Sequence, residues 1–521
     1  MQIKKLLTIL LFSGGLSNLS AQIFYKDVAP IFQSKCTSCH NEYGHASSLQ
    51  YYGQIYALKA TVSNYISSGY MPPWTPDTTY KRYVGEHVIT PNEKNLILNW
   101  IAGGAPDGDT TVVAPPHVYT RNQINAPADL ELTIPTFTIN PSNYDNHDCF
   151  SLPTGLIQDR VICAYEIVAG NPSIVHHIVA AIDSTGSVSS DTSGTCFTPG
   201  GGFVIGGFAP GSAPCIFPNS SALKVGIPLK AGSNIILQIH YPSNTSAQVD
   251  STKIRLFFYP PGTSNIRPLH SKTAIVNNAL TIPANSIVDY TGQTTASSPL
   301  SLFSIFPHSH YLATKIHDYA YDSVDTIPLI RINKWDFDFQ QFYVFRNLIK
   351  ITTGTVVYAK HTYDNTSNNP NNPNSPPQPV VSGTNSTDEM LHDALQWLDY
   401  KPGDEFINID SLLANDPLVN ALNPVIINNL HVRAFPNPFE GIVNFEYELN
   451  YPSKVSVEVF SLLGTKIRTL KNAYDAAGVY NVIWDGKNNE GSSVSAGNYF
   501  YVIRAGDKQT RGKLSFTGER K

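Results

Sequence analysis

Short strand-like runs separated by turn residues constrain the fold of this chain more than any other feature. Alternating or wholly apolar runs recur between about residues 115 and 415, for example at 130–134, 161–167 and 234–240. Turns rich in glycine and proline, such as 260–262, separate them. Many short strands at this spacing predict β-sandwiches or jelly rolls. The expected fold class is therefore multidomain and mainly β.

Composition and the first residues of the chain predict an exported protein. Only 14% of the residues are charged and the net charge is −5, so no basic surface favours nucleic acid or anionic membranes. Lys4 and Lys5 precede the apolar run 6–12. Small and polar residues then lead to Ala21, and this order predicts a signal peptide over residues 1–21. No later run approaches the roughly 18 apolar residues of a membrane span, so we expect no transmembrane helix.

Two histidines past the middle of the chain have the spacing of a metal-ligand pair. His308 and His310 are two residues apart, and a strand places such residues on one face, about 6.6 Å apart. We assign Met390 as the third donor, because the chain has only three methionines and keeps this one in a polar segment. Two imidazoles and a soft thioether suit copper, especially Cu(I). The alternative is that both histidines only line a wet strand face.

A second histidine group lies earlier in the same region. His176 and His177 are adjacent, and adjacent strand residues face opposite sides, so both can bind one metal only at a strand end or a bulge. The turn residues 169–172 just before them favour a strand end. His240 ends the apolar run 234–240. Three imidazoles on one metal suit copper or zinc.

The order of these groups resembles the copper type II ascorbate-dependent monooxygenase family, which includes peptidylglycine α-hydroxylating monooxygenase and dopamine β-monooxygenase. His-His, Gln-Ile-His-Tyr, His-x-His and Ser-Thr-Asp-Glu-Met occur in that order. The resemblance implies two jelly rolls, expected at 115–265 and 266–415, each holding one copper ion. It also implies ascorbate or another one-electron reductant. By motif, the electron-transfer copper takes His176, His177 and His240, and the catalytic copper that activates dioxygen takes His308, His310 and Met390.

Two positions depart from the peptide-amidating members of that family. Those members carry Arg two residues before His-x-His and Tyr four residues after the Met, where this chain has Phe306 and Ala394. The Arg and Tyr hold a peptide carboxylate, so the resemblance does not extend to peptides that end in glycine. We expect a more apolar pocket near Phe306, with His392 as a new polar contact.

Disulfides are expected in the mainly β region. The chain has six cysteines, of which four lie there, and export permits disulfides. Four cysteines allow three pairings, and the sequence alone does not choose among them. We favour Cys149–Cys196 and Cys163–Cys215.

Residues 22–112 are expected to form a small haem domain. Cys36-Thr37-Ser38-Cys39-His40 is a CxxCH motif, whose thiols Cys36 and Cys39 attach haem c while His40 reaches the iron. A zinc half-site would need a second ligand pair nearby, and a thiol redox pair would need a βαβ scaffold. Met71 is the expected sixth iron ligand, and His45 competes with it.

Helix signals surround the haem motif. Thr90-Pro91-Asn92-Glu93 is a capping box with proline at the first helical position, and the apolar stripe after it ends at Gly103. A second helix is expected at 58–66. The segment resembles a class I-type cytochrome c domain. The link at 105–116 is short and proline-stiffened, so it should keep the haem near the copper region.

Beyond a linker at 416–431, residues 432–521 are expected to form an immunoglobulin-like sandwich. Alternating runs such as 443–447 predict its strands. Phe435-Pro436-Asn437-Pro438-Phe439 and Ser495-Ala496-Gly497-Asn498-Tyr499 resemble the C-terminal sorting domains of type IX secretion. That resemblance implies a secreted or cell-surface protein that meets a secretion machinery. The alternative is a passive adhesion or spacer domain.

Together these features predict a secreted copper-dependent monooxygenase that hydroxylates a C–H bond of a small-molecule or peptide substrate with dioxygen. Its cofactors would be two copper ions and a covalently bound haem c, through which an external donor supplies electrons. The alternative is a non-catalytic copper-binding or electron-relay protein that kept the ligands and lost turnover. A zinc hydrolase is disfavoured, because Met390 would be an odd zinc ligand.

Overall fold

The computed structural model describes most of the chain. Its described residues are 22–44, 46–109, 113, 119, 121–142, 144–196, 203–210, 212–243, 246–414, 416–421, 432–449, 453–461, 465–476, 478–505 and 508–518. The predicted signal peptide, His45, and parts of both predicted linking segments lie outside the described residues.

Three helices form the N-terminal region: α1 (Tyr25–Lys35), α2 (Tyr52–Ser68) and α3 (Pro91–Ala102). The capping box predicted for α3 is confirmed, because the Thr90 side chain accepts from the Glu93 amide at 3.2 Å. In the described part of the chain, no helix combines the length and apolarity needed to cross a lipid bilayer.

Helix α2 is longer than the predicted helix at 58–66, and it ends where Gly69 adopts a φ of 72°. Tyr25, Phe32 and Trp100 are buried where the helices meet and form an aromatic core. This core holds α1, which carries the first cysteine of the CxxCH motif at its C-terminal end.

The first β-sandwich begins after the helical region. Its strands are β1 (Leu130–Thr133), β2 (Phe137–Ile139), β3 (Asn146–Pro153), β4 (Arg160–Val168), β5 (His177–Asp183), β6 (Phe203–Phe208), β7 (Cys215–Ile216), β8 (Lys224–Leu229), β9 (Asn234–Tyr241), β10 (Gln248–Asp250), β11 (Lys253–Phe258) and β12 (Ile266–Pro268). One sheet has the order β3-β9-β5-β6, and the other has the order β1-β11-β4-β8-β12 with β7 beside β4. Every residue of β9 is buried, so the run that was predicted as a strand lies inside the domain.

The cysteine pairings have different outcomes. Cys149 and Cys196 form a disulfide with Cα atoms 5.9 Å apart, as predicted. The predicted Cys163–Cys215 disulfide is wrong, because both residues are free cysteines. In the ladder between β4 and β7, Tyr165 rather than Cys163 lies opposite Cys215, and the Cys163 thiol donates to the Phe257 carbonyl at 3.4 Å instead.

The second β-sandwich has two four-stranded sheets. Its strands are β13 (His270–Val276), β14 (Thr281–Ile282), β15 (Ile287–Thr295), β16 (Leu300–Phe306), β17 (Ala313–Tyr321), β18 (Thr326–Ile332), β19 (Tyr343–Ile351), β20 (Val356–Asp364), β21 (Val380–Val381) and β22 (His392–Asp399). The sheets have the orders β13-β22-β16-β19 and β15-β20-β17-β18. The apolar core of the first sandwich continues into the second, where Phe217 and Phe303 have ring centroids 6.2 Å apart. The short helices α4 (Ile409–Leu413) and α5 (Pro417–Ala421) follow.

The C-terminal region is a third β-sandwich. Its strands are β23 (Val432–Phe435), β24 (Val443–Leu449), β25 (Ser453–Ser461), β26 (Lys466–Asp475), β27 (Gly478–Trp484), β28 (Gly497–Ala505) and β29 (Lys508–Phe516). A three-stranded sheet, β23-β24-β27, shares a core with a four-stranded sheet, β26-β25-β28-β29. The multidomain, mainly β fold class is thus confirmed.

The segment between α2 and α3, residues 70–87, packs against the second sandwich. We call it the haem-side loop, after the haem domain that the sequence predicts for residues 22–112. Tyr83 is fully buried there, and its hydroxyl donates to the Leu329 carbonyl at 2.6 Å. Asp77 accepts from Arg331 at 2.8 Å. No sequence motif predicted this contact, and the expected connection was instead the chain link at 105–116.

Candidate metal centres

Three imidazoles converge at the edge of the first sandwich. His176 immediately precedes β5 and His177 is its first residue, while His240 lies directly opposite His177 on β9. The Nδ1 atom of His176 lies 3.2 Å from Nδ1 of His177 and 3.1 Å from Nδ1 of His240, and the latter two are 3.2 Å apart. The two adjacent histidines therefore meet at a strand end, as the sequence predicts.

Carboxylates orient two of these rings from behind. His176 Nε2 donates to Asp338 Oδ1 and His240 Nε2 donates to Asp145 Oδ2, each at 3.0 Å. Each bond places the proton on Nε2 and leaves Nδ1 bare, which is the usual outer arrangement of metal-bound histidines. Burial lowers the pKa of His177 and of His240, so both favour the neutral form that binds metal. This donor set fits a copper ion.

His147 is a fourth imidazole that sequence reasoning missed. Its ring stacks on His240 at a centroid distance of 4.3 Å, and burial lowers its pKa to about 4. Its ring nitrogens also lie within 4.8 Å of those of His177 and His240. We assign the metal to the set containing His176, because its nitrogen is 3.1–3.2 Å from both partners. His147 then packs as a buried flank of the site.

The second histidine pair lies in a loop, and the predicted strand placement is wrong. β16 ends at Phe306, because Pro307 has no amide to donate to the ladder. His308 and His310 follow with ring centroids 5.2 Å apart and nearly perpendicular planes. His308 Nδ1 donates to Gln340 Oε1 at 2.6 Å, and His310 Nδ1 donates to the Asp388 carbonyl at 3.0 Å. Both Nε2 atoms are thereby left bare for a metal.

The segment that carries Met390 runs alongside this loop. Ser309 Oγ donates to the Met390 carbonyl at 2.7 Å. The buried carboxylate of Glu389 accepts from the amides of His310 at 3.0 Å and Leu312 at 2.6 Å, and burial raises its pKa to about 8. The backbone of Met390, whose side chain is half-buried, therefore lies beside the loop that carries His308 and His310. Two imidazoles beside a thioether fit copper.

The two positions that depart from the peptide-amidating pattern lie beside this site. Phe306 and Ala394 are partners in the ladder between β16 and β22. The Phe306 ring stacks near His308 at 6.2 Å and contacts Phe342 at 5.1 Å. The surface next to His308 is therefore apolar. His392, the expected polar contact, is engaged by Asn278 at 2.8 Å.

One loop of the second sandwich touches both histidine groups. The bridging loop, residues 333–342 between β18 and β19, carries Asp338 to His176 and Gln340 to His308. Its Phe337 ring lies 6.1 Å from His176 and 5.8 Å from His310. The two groups thus share one structural support, for which the sequence carried no motif.

The CxxCH motif follows helix α1 as a tight turn. The His40 amide bonds to the Cys36 carbonyl at 2.9 Å, and His40 Nδ1 donates to the Ser47 carbonyl at 2.8 Å, which leaves Nε2 for a metal. Burial raises the pKa of Cys36 to about 12 and also raises that of Cys39. A thiol redox pair needs a lowered pKa, so the thiols fit the haem interpretation better.

Met71 begins the haem-side loop. Its amide bonds to the Tyr65 carbonyl at 3.1 Å, and its side chain is half-buried. The competing ligand His45 lies outside the described residues.

Comparison with known proteins gives two domain matches. Residues 269–397 match the copper type II ascorbate-dependent monooxygenase C-terminal domain, which includes the positions of His308, His310 and Met390. Residues 439–509 match the FlgD Ig-like domain. No curated protein matches the chain.

Among solved structures, dimeric latent PorU from Porphyromonas gingivalis is 10% identical over 72% of this chain and 34% of that chain, with a TM-score of 0.16. The alignment thus covers about a third of the PorU chain, and so low a TM-score does not indicate a shared fold.

Proposed function

We propose that this protein is an exported copper-dependent monooxygenase that inserts one oxygen atom of dioxygen into a C–H bond. The observation that carries the proposal is the pairing of two donor sets on one bridging loop, within a chain whose residues 269–397 match a copper monooxygenase domain. The reaction consumes substrate, dioxygen, two electrons and two protons, and yields an alcohol and water. Copper supplies one-electron redox chemistry with dioxygen.

In this proposal the two sites have different roles. His176, His177 and His240 would hold the electron-transfer copper through Nδ1, since the three Nδ1 atoms converge and the Nε2 atoms of His176 and His240 bond to carboxylates. His308, His310 and Met390 hold the copper where dioxygen reacts, with the histidines binding through Nε2. A thioether ligand would favour the reduced metal, Cu(I), which is the form that reacts with dioxygen. Burial lowers the pKa of His177, His240, His308 and His310, so these rings favour the neutral form, and Asp338 orients the His176 ring.

The substrate we propose is a compound whose reacting carbon lies in an apolar part of the molecule. Phe306, Phe342 and Ala394 line the flank of His308 and offer no charge to a substrate carboxylate. Removal of apolar surface from water would then supply the binding energy. A screen should therefore include aromatic and alkyl compounds beside short peptides.

We also propose that electrons arrive through haem c bound at Cys36, Cys39 and His40. Contacts of the haem-side loop support this route, because Trp74 packs edge-on against Tyr343 at 5.5 Å. Burial, followed by the charges of Asp336 and Asp338, raises the pKa of Tyr70, so this loop lies near the bridging loop. Haem with Met71 as sixth ligand would supply a raised potential suited to electron transfer.

For the C-terminal sandwich we propose a sorting role in type IX-like secretion, with the protein exported to the medium or the cell surface. The match at 439–509 supports an Ig-like domain there, and the sorting role rests on the motifs near 435–439 and 495–499. Deleting residues 432–521 should leave the protein in the periplasm. Unchanged secretion of the shortened chain would refute the sorting role and favour a spacer.

The second candidate function is a non-catalytic copper-binding or electron-relay protein. Phe306 and Ala394 favour it, because the groups that would hold a peptide substrate are absent. Metal and haem analysis of the exported protein comes first, with two copper ions and one haem expected on the monooxygenase proposal. The protein is then reduced without oxygen and exposed to air with each compound of a C–H screen. Faster reoxidation with one compound, together with its hydroxylated product, supports the enzyme, whereas one rate for every compound supports the relay.

A further inference from the structure

Three buried side chains of the types that bind metals meet inside the second sandwich, behind the loop that carries His308 and His310. Asp318 lies on β17, His361 on β20 and Asp393 on β22, and all three are 0% exposed. One donor atom from each lies within 4.8 Å of the others, and His361 Nε2 is 3.2 Å from Asp393 Oδ2. Because β22 belongs to one sheet and β17 and β20 to the other, the cluster joins the two sheets.

The hydrogen bonds fix the proton on His361. The hydroxyls of Ser309 and Tyr363 donate to the Met390 carbonyl at 2.7 and 2.8 Å, so neither has a proton left for the imidazole. His361 Nδ1, 2.8 Å from Ser309 Oγ, must therefore be the donor of that contact. In a neutral ring Nε2 is then bare, and it faces a carboxylate oxygen of Asp393. The lone pairs of His361 Nε2 and Asp393 Oδ2, 3.2 Å apart, repel each other unless a proton or a metal ion lies between or beside them.

Asp318 adds a second uncompensated carboxylate. Neither of its oxygens has a hydrogen-bond partner among the described residues, and no described lysine or arginine forms an ion pair with it or with Asp393. Burial, followed by the charge of Asp393, raises the pKa of Asp318. An uncompensated charge inside an apolar core is strongly unfavourable, so buried carboxylates normally pair or coordinate a metal.

We propose that Asp318, His361 and Asp393 bind a divalent cation of the Zn²⁺ class as a structural third metal site. Imidazole nitrogen and carboxylate oxygen are both donors that Zn²⁺ takes in proteins, and its two charges would neutralise both carboxylates. The contact of Nδ1 with Ser309 orients His361 as outer partners orient other metal-bound histidines. Asp393 Oδ1 accepts from the His308 amide at 3.0 Å, so this ion also supports the copper loop from behind.

The rival arrangement is a proton shared by Asp318 and Asp393, with His361 as a cation. It balances the charges equally well. It supplies a proton to only one oxygen of Asp318, however, and the nearby Lys360 amide lies outside hydrogen-bond geometry. A metal ion satisfies the cluster more completely, and the two arrangements differ in what Asp318→Asn does.

The test uses the full chain with haem in place, which is stripped of metals with a chelator, reloaded with copper at both histidine sites and only then given Zn²⁺. The wild-type protein should take up about one Zn²⁺ per chain, with anomalous scattering at the zinc edge between β17, β20 and β22. Asp318→Asn should lose at least nine-tenths of this zinc. Asp289→Asn is the matched control, because Asp289 is an exposed carboxylate on β15 of the same sheet, and it should bind zinc as the wild type does.

A thermal midpoint measured with and without Zn²⁺ gives a second readout. It should rise by several degrees in the wild type and in Asp289→Asn, and should not move in Asp318→Asn. Absence of zinc uptake by the wild type, or uptake that survives Asp318→Asn, overturns the proposal. A wild type without zinc and an equally stable Asp318→Asn would identify the shared proton. Copper and haem content are recorded in parallel, so failure here is distinguishable from failure of the monooxygenase proposal.

Discussion

Asp338 Oδ1 accepts a hydrogen bond from His176 Nε2 at 3.0 Å, although the two residues lie on different sandwiches. The same bridging loop places Gln340 against His308. Each histidine group therefore depends on a loop of the second sandwich for the orientation of one ligand. Such outer partners usually change metal affinity by about 10- to 100-fold.

We call the site of His176, His177 and His240 the trihistidine site. Asp338→Ala should weaken copper binding there by about 10-fold, the lower end of that range. The effect is modest because the Asp338 side chain is 69% exposed and water can replace it. Copper titration of the reduced protein measures the effect. Asp325→Ala in the exposed turn before β18 is the matched control and should leave both affinities unchanged. Equal affinities in Asp338→Ala and the wild type would show that the contact does not orient His176.

Met390→Ile should keep the fold and the trihistidine copper yet abolish turnover. Isoleucine is close to methionine in volume but offers no lone pair to a metal. Copper content should fall from about two to about one per chain, and product formation should cease. Met71→Ile is the contrasting variant, since it should keep both copper ions and change only the haem spectrum. Turnover that survives in Met390→Ile would remove Met390 from the ligand set.

Asp77→Ala should loosen the haem-side loop from the second sandwich. Hydrogen bonds from Thr79, followed by the charge of Arg331, hold the pKa of Asp77 well below its usual range. The interaction is therefore complete above about pH 4, the ordinary range of an aspartate, and is lost as the pH falls below it. The variant should lose about 1 kcal/mol of unfolding free energy at neutral pH.

Hydrogen exchange of residues 70–87 measures that loosening. Exchange should be faster in Asp77→Ala than in the wild type at pH 7, and the difference should shrink in acid. A difference that shows no decrease even as the pH falls well below the ordinary pKa of an aspartate, towards the lowered pKa of Asp77, would assign the effect to packing instead of the charge.

Local pattern was enough to predict most strands. The run 234–240 is predicted as a strand and lies in β9 (Asn234–Tyr241), because apolar runs and the turn residues that bound them are local properties. The capping box at Thr90 and Glu93 was predicted for the same reason. The order of the histidine motifs also lies in the sequence, which is why both donor sets could be named.

The missing parts depend on contacts between distant residues. His176 and Asp338 are 162 positions apart, and no local rule links a histidine at a strand end to an aspartate in a loop of another sandwich. The Cys163–Cys215 pairing failed similarly, because strand register decides which side chains face each other. Pro307, by contrast, is a local signal that predicts the end of β16 before His308, because proline has no amide to donate to the ladder.

His240→Ala tests why a haem domain is fused to a copper protein. The haem-side loop lies near the bridging loop, which bonds to both His176 and His308. The electron-transfer role proposed for the trihistidine site makes it the expected acceptor of electrons from the haem. In stopped-flow experiments with prereduced haem, oxygen and substrate should cause haem oxidation in the wild type. His240→Ala should keep its haem reduced and form no product beyond one partial turnover, because delivery of the second electron is blocked.

Asp325→Ala again serves as the control and should oxidise its haem at the wild-type rate. Two results would contradict the scheme in different ways. Product formation while the haem stays reduced would mean that the haem domain does not supply the electrons. A fully active His240→Ala would instead reverse the roles of the two copper sites, because the trihistidine copper could then not be the obligatory electron donor.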